Sequence, residues 1–331
     1  MLILNAAEVR RALPMHEAVA AMKDAFAALA DGRAVIPHRT HLAVPRHAGT
    51  SLIMPAYVDD PAPQAEALAV KVVSVFDNNP AQGLARIQAA VLVIDPETGR
   101  PEALLEGASL TAIRTAAASG AATDLLARRD SRVVALFGAG VQARTHLEAI
   151  CAVRPIEEVR IYSRTPAKVA ALIADFAGHP EIHSRLTASA TPQEALSGAD
   201  IVCATTTSKV PLFDDADVPA GAHLNAVGSY TPGAREIPPE TVQRAYVVVD
   251  SREAAWQEAG DLIQPLEAGL IERDHVQADL GELVLGRRPG RTDERQITFF
   301  KSVGLAVQDA VAARHVLENA RRLKLGREIE W

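Results

Sequence analysis

A chain of 331 residues with 48% hydrophobic and 23% charged residues has the balance of a soluble globular protein and a length that suggests two domains. Its net charge of −7 comes without a long basic run, which argues against nucleic acid and anionic membrane as partners. The sequence opens without signal-peptide features, no apolar stretch is long enough for a bilayer, and Cys151 and Cys203 stand far apart in apolar contexts, so a cytoplasmic protein without a disulfide framework is expected.

In chain order, Asn5 stands three residues before Glu8, the spacing of a capping box, and Pro14 stops the short helix so opened. "MHEAVAAMKDAFAALADG" places Val19, Met22, Phe26 and Leu29 on one helical face, and Gly32 ends it. "RAVIPHRTHLAVPR" and "TSLIMPAYV" read as strands or extended segments. "ALAVKVVSVF" and "AAVLVID" read as strands, and "DPETGRP" is a hairpin signal before "EALLEG". "SLTAIRTAAASGAATDLLAR" is a helix rich in small residues, suited to close packing.

The pattern changes near Arg132. "RVVALF", "EVRIY", "ADIVCATT", "HLNAVG" and "AYVVVD" are short apolar strands alternating with helices. One of these helices has Thr191 as N-cap, Pro192 at its first position and Glu194 at its third. The alternation predicts an α/β fold with a parallel, doubly wound sheet. "ITFFKSVGLAVQDAVAARHVLENARRL" reads as one long helix, too late in the chain to cover that sheet and expected to return to the N-terminal half.

The glycine loop is the strongest local signal. "RVVALFGAGVQARTHLEAI" puts Gly138, Gly140 and Ala143 in a G-x-G-x-x-A arrangement between a strand and a helix. There the first glycine makes the turn, the second admits a pyrophosphate and the small third position lets the helix pack on the sheet. On the next strand Ser163, Arg164 and Thr165 stand where an NAD site places an acid. Arg164 can pair with a 2′-phosphate, and Lys168 adds charge one helical turn on. NADP(H) is therefore expected, with NAD(H) as the alternative; a solvated arginine at a strand end is the other reading of Arg164.

The first half supplies three cations in apolar settings: Arg39 in "IPHRTHL", Lys71 in "LAVKVVSVF" and Arg114 in "LTAIRTAAASG". A lysine flanked by valines in a strand is costly to bury without a partner. Together the three suit a small amino-acid-like carboxylate, while each alone also reads as a snorkelling or salt-bridged surface cation. Asp77, with Asn78 and Asn79, either rims a pocket or makes a turn, and Asp309 is either a site acid or a helix charge. His38, His41 and His223 lack metal-ligand spacing, so no metal is expected.

"PHRT", "VKVVS", "LTAIRTAAAS", "LFGAGVQA", "HLNAVGS" with Pro232, and "FKSVGLAVQD", taken in order over nearly the whole chain, resemble the ornithine cyclodeaminase/mu-crystallin family. The resemblance implies a Rossmann-type NAD(P)-binding domain over 129–303. It implies an α+β substrate-binding and dimerisation domain from 1–128 with 304–331, and a homodimer. It also implies that Arg39, Lys71 and Arg114 hold the substrate carboxylate, with Lys71 near the reacting nitrogen. Thr115, Gly140, Val141, Gln142, Ser163, Arg164, Thr165 and Lys168 would line the dinucleotide. Thr205, Thr206 and Thr207 would edge its ribose, and Val227, Gly228 and Ser302 would lie near the nicotinamide.

The cyclodeaminases of that family carry a proton-handling aspartate in a loop like "GGDCPGK". Aligned on Gly228 and Pro232, this sequence has Tyr230 at that position and Ala234 in place of the lysine. The acid of their NAD site is missing too, at Ser163 and Arg164. A phenol is a poor base at neutral pH, so ornithine cyclisation fits badly. The "GSYTP" loop resembles that of the family's ketimine and Δ1-pyrroline-2-carboxylate reductases. The expected activity is NADPH-dependent reduction of Δ1-pyrroline-2-carboxylate or Δ1-piperideine-2-carboxylate to L-proline or L-pipecolate. The alternatives are an alanine-type amino-acid dehydrogenase, an ornithine cyclodeaminase, and a non-catalytic protein that binds NADPH and a small ligand.

Overall fold

The computed structural model describes residues 1–61 and 66–331. Its elements begin with β1 (Leu2–Leu4), α1 (Ala6–Ala12), α2 (Met15–Ala30), β2 (Ala34–Val35), β3 (Thr40–Val44), β4 (Gly49–Val58), β5 (Ala67–Phe76), β6 (Ile87–Ile94), β7 (Pro101–Glu106) and α3 (Gly107–Leu126). They continue with β8 (Val133–Phe137), α4 (Val141–Val153), β9 (Glu158–Tyr162), α5 (Pro166–Asp175), β10 (Arg185–Ala188), α6 (Pro192–Leu196), β11 (Ile201–Ala204) and β12 (His223–Ala226). Last come α7 (Pro239–Arg244), β13 (Tyr246–Val249), α8 (Arg252–Glu258), α9 (Gly260–Glu267), β14 (Val276–Asp279), α10 (Leu280–Val284), β15 (Thr298–Lys301), α11 (Ala306–Leu323) and β16 (Arg327–Glu328). These elements form two compact units, Met1–Arg114 with Leu305–Trp331, and Thr115–Gly304. The division falls inside α3, whereas the domain boundary expected from the sequence lies between residues 128 and 129.

In the first unit local chemistry sets the helix ends. The Asn5 side chain accepts from the backbone N–H groups of Ala7 and Glu8, and Glu8 accepts from Asn5 N at 2.9 Å, completing the capping box. Asp95 accepts from Glu97 N and Thr98 N and so fixes the turn between β6 and β7. The sheet runs β16-β1-β7-β6-β5-β4-β2, with β3 also on β4. The long strands β4, β5, β6 and β7 are antiparallel neighbours. Their alternation divides the residues between two faces. Met54, Lys71 and Val91 lie in one row on the inner face, all buried. Ile53, Val72 and Ala90 lie in a row on the outer face, all exposed. Helix α11 packs on β4, β5 and α2, so the C-terminal helix does belong with the N-terminal half.

The second unit is an eight-stranded sheet in the order β10-β9-β8-β11-β12-β15-β13-β14, parallel throughout. The fold is α/β and Rossmann-type. The chain leaves β8 for β9 and β10 on one side, then returns to place β11 on the other. That reversal is a topological switch point, where such sheets bind their ligands. Both faces are covered: Val134 and Leu136 of β8 join one core with α4 and α5, while Ala135 and Phe137 join another with α6 and α7. Cys203 is buried in the first of these cores, and burial pushes its thiol up to about 12.

One sequence expectation is corrected. "ITFFKSVGL" does not start the C-terminal helix. Thr298–Lys301 is a fully buried parallel strand inserted between β12 and β13, and α11 begins only at Ala306. A short run around Phe299 and Phe300 fits a buried strand as well as a buried helix, and the helical period of the residues beyond it hides the boundary. The break is built by Asp250, which accepts from Ser302 Oγ at 2.9 Å, Val303 N at 2.8 Å and Gly304 N at 2.7 Å, and by Gly304 at φ +84°. Among the described residues no helix is long and apolar enough to cross a membrane.

Candidate functional site

In the first unit, the three cations singled out in the sequence come together. Lys71 points from the inner face of β5 and is 1% exposed; Arg114, on α3, is 5% exposed. Between them stands Asp309, in the first turn of α11. Its carboxylate pairs with Lys71 Nζ at 2.6 Å and with Arg114 Nε at 3.0 Å. The neighbouring Gln308 Oε1 accepts from Arg114 Nη1 at 3.1 Å and from Leu305 N at 2.8 Å. Arg39, half-buried between β2 and β3, adds a third positive charge that Lys71 senses. Lys71 and Arg114 thus share one carboxylate, with Arg39 close enough for Lys71 to feel its charge.

The electrostatics follow from this arrangement. Burial, reinforced by the charge of Arg114, pulls the Lys71 ammonium down from 10.5 to about 7, against the opposing pull of Asp309. Lys71 is thereby poised to exchange a proton near neutrality. Asp309, left between two readings by the sequence, is part of this cluster. Asp77 makes an exposed pair with Arg86 at 2.7 Å, beside the turn at 79–82.

In the second unit, a cavity of about 390 Å³ opens at the carboxyl ends of β8, β9 and β11. Gly138, Gly140, Ser163, Arg164, Thr165, Lys168, Thr205, Thr206 and Thr207 all line it. Gly138 sits at φ +108°, and a Cβ there would lie 2.8 Å from Thr205 Oγ1. A Cβ on Gly140 would instead meet nothing within 4 Å, so the loop leaves open space in front of the N-terminus of α4. Arg164 and Lys168 are exposed, and among the described residues neither makes an ion pair.

The other predicted positions lie outside this lining. Thr115 follows Arg114 on α3, and Val141 and Gln142 begin α4, with Val141 largely exposed. Val227 N donates to Ala204 O, Gly228 N donates to Glu236, and Ser302 Oγ is committed to Asp250. Tyr230 is partly exposed in the same loop as Gly228.

Sequence reasoning passed over a second buried charge cluster, on the loop after β12. Lys301 Nζ pairs with Asp261 at 3.1 Å, and both side chains are fully buried. Asp261 also accepts from Glu236 N, Ile237 N and the Ser229 hydroxyl. Glu236, buried as well, accepts from Thr206 and Gly228. The available signal was an acid or lysine beside an apolar run, as in "GDLIQPL" and "ITFFK"; nothing local says that such residues meet.

The comparisons with known proteins agree with this architecture. The family model for the ornithine cyclodeaminase/mu-crystallin family matches residues 1–324. A Δ1-pyrroline-2-carboxylate reductase from Bacillus cereus is 39% identical, with all of both chains covered. A solved structure of Δ1-pyrroline-2-carboxylate reductase from Thermococcus litoralis, in complex with NADH and L-proline, is 40% identical with a TM-score of 0.94, covering 99% of this chain and 100% of that one. A solved archaeal alanine dehydrogenase dimer with bound NAD is 32% identical with a TM-score of 0.91, covering 100% of this chain and 99% of that one.

The Lys71 cluster makes a prediction about stability. Because the folded state holds Lys71 at about 7 against 10.5 in the open chain, the unfolded state binds more protons between those values. This contribution to stability therefore grows as pH rises from about 7 towards 10.5 and is lost as pH falls through 7. Asp309→Asn removes the one group that holds the proton on Lys71. It is expected to lower stability by about 3–5 kcal/mol near neutral pH and to extend the rising limb below pH 7. Urea unfolding of both proteins across this range tests it; parallel curves would contradict the pairing.

Proposed function

Because the chain belongs to the ornithine cyclodeaminase/mu-crystallin family and is one of its oxidoreductases, we propose that it reduces a cyclic ketimine carboxylate, Δ1-pyrroline-2-carboxylate or its six-membered homologue, to L-proline or L-pipecolate with NADPH. The observation that carries this reading is the buried Lys71, held near neutrality among Arg114, Arg39 and Asp309. The two arginines suit the carboxylate, through charge-assisted hydrogen bonds with a planar anion. Lys71 then faces the atom next to it, the imine nitrogen. The ammonium gives its proton to that nitrogen, the carbon accepts a hydride, and the C=N bond becomes the C–N bond of a secondary amine. Asp309 holds the lysine in place and returns it to the charged form by favouring its reprotonation.

The cavity of the second unit fits a dinucleotide. The space before Gly140, the free N–H groups at the start of α4 and the ring of Thr205–Thr207 suit a pyrophosphate and a ribose. When bound, the reduced dinucleotide supplies the hydride. Arg164 and Lys168, exposed at the rim without an ion-pair partner among the described residues, support the choice of NADPH, since a 2′-phosphate supplies the missing anion. The relative from Thermococcus litoralis holds NADH, so this choice rests on the rim of this chain alone.

A homodimer is part of the proposal. The outer face of the first unit's sheet leaves Leu42, Ile53 and Val72 exposed, at 56%, 37% and 43%. An apolar sheet face of this kind marks an interface, and the archaeal alanine dehydrogenase is a dimer.

The assay follows loss of reduced nicotinamide absorbance with Δ1-pyrroline-2-carboxylate, against pyruvate with ammonia. Turnover of the imine without ammonia is expected; turnover only of the keto acid would make the protein a dehydrogenase. Lys71→Met is expected to lower kcat/KM at least ~100-fold. In the wild type, kcat/KM for reduction is expected to fall as pH rises through about 7, because only the ammonium carries the proton, and proline oxidation should show the opposite limb. Arg164→Ala is expected to raise the KM for NADPH about tenfold and leave that for NADH unchanged; equal effects on both would remove the 2′-phosphate reading. Ile53→Glu with Val72→Glu is expected to give a monomer by light scattering, and an unchanged mass would place the interface elsewhere.

A further inference from the structure

Glu236 has no part in the chemistry just described, yet its carboxylate is completely buried and completely used. One oxygen accepts from Thr206 N at 2.7 Å and from the Thr206 hydroxyl at 2.8 Å. The other accepts from Gly228 N at 2.7 Å. Burial pushes this carboxyl's pKa up, and the Lys301 charge with three donors on its two oxygens works against that rise. Thr206 belongs to the loop that leaves β11, and Gly228 to the loop that leaves β12. Since β11 and β12 are parallel neighbours in the middle of the sheet, Glu236 straps together two loops at the carboxyl ends of its central strands.

The strap is itself anchored. Glu236 N and Ile237 N donate to Asp261 on α9 at 2.7 and 2.9 Å. The Ser229 hydroxyl donates to the same carboxylate, and Lys301 pairs with it at 3.1 Å. Gln264, also on α9, donates to Pro232 O at 2.8 Å. Both ends of the segment from Gly228 to Ile237 are thus tied down, and the tie to Thr206 runs through one side chain. In such sheets a dinucleotide lies across the carboxyl ends of the strands, its adenine half on the side of the glycine loop and the following strand, and its other half over the strands beyond the switch point.

Resting on the dinucleotide reading above, we propose that Glu236 is a positioning residue for the coenzyme, acting most on its nicotinamide half: it fixes the Gly228 loop against the Thr206 loop, which itself lines the glycine-loop cavity. The carboxylate acts through the loops and does not meet the coenzyme. Glutamine is nearly isosteric but offers N–H groups where one loop needs an acceptor, so Glu236→Gln releases the strap at Thr206 or at Gly228.

The test titrates wild type and Glu236→Gln with NADPH and, as the adenine half alone, with adenosine 2′,5′-bisphosphate, alongside kcat for imine reduction. The variant is expected to bind NADPH about tenfold more weakly, to lose kcat, and to bind the bisphosphate, which needs only the Thr206 side of the strap, with a smaller loss. Equal weakening of both ligands, or none, overturns the role. Thr206→Val, which keeps the backbone contact and removes only the hydroxyl, is the milder companion if the first variant does not fold. It is expected to weaken NADPH about threefold with a smaller loss for the bisphosphate, and an unchanged NADPH affinity overturns the role again. A wild type that binds neither ligand overturns the dinucleotide reading itself, whereas normal wild-type binding with an unmoved variant overturns only the part given to Glu236.

Discussion

A charge removed from water must meet a partner, because an unpaired buried ion costs several kcal/mol. In both units of this protein that requirement ties distant segments together. In the first, β5 and α3 each carry a buried cation, and the carboxylate that answers both arrives on α11. In the second, β15 ends in a buried lysine, and the answering carboxylate stands at the start of α9. Hydrophobic burial makes the two sheets; paired charge decides which ends of which elements must coincide. The two clusters differ in balance. Lys301 meets Asp261 with Glu236 nearby, so negative charge matches or exceeds positive, and the carboxylates are spent on backbone N–H groups. Around Lys71 two buried cations meet a single carboxylate, that of Asp309.

The same contrast separates a framework from the proposed site. Every donor around Glu236 and Asp261 has an acceptor within the unit, as befits groups that hold loops. Lys71 has its ordinary pKa removed by burial and by Arg114, and only partly restored by Asp309. A group so treated is well suited to giving up a proton.

The sequence disclosed what is local. The capping box at Asn5, the Thr191 cap, the turn at Asp95 and the glycine loop all rest on residues a few positions apart, and each was legible. Lys71, Arg114 and Arg39 stood out because a cation in an apolar run is expensive, even though their meeting place was invisible. Asp309 was undecidable: on a helix an acid looks the same whether it faces water or a buried lysine. Glu236 and Asp261 were missed because their partners are backbone N–H groups of other loops, which leave no trace in composition. The strand Thr298–Lys301 was lost to the helix beyond it because a strand with no exposed face has no alternation to read.

The first unit is assembled from two pieces of chain separated by the whole of the second. This has a consequence for the order of synthesis. The parallel sheet of the second unit is contiguous, so a ribosome that has reached Gly304 has already made all of it. At that moment Lys71 and Arg114 have emerged without Asp309, and the inner face of β4 and β5 has no α11 to cover it. The acid that makes the lysine's burial tolerable is therefore among the last things to arrive. A nascent chain must keep an unfinished charged sheet in solution until then, and a product cut short before residue 305 would retain an intact glycine-loop unit beside a first unit unable to close.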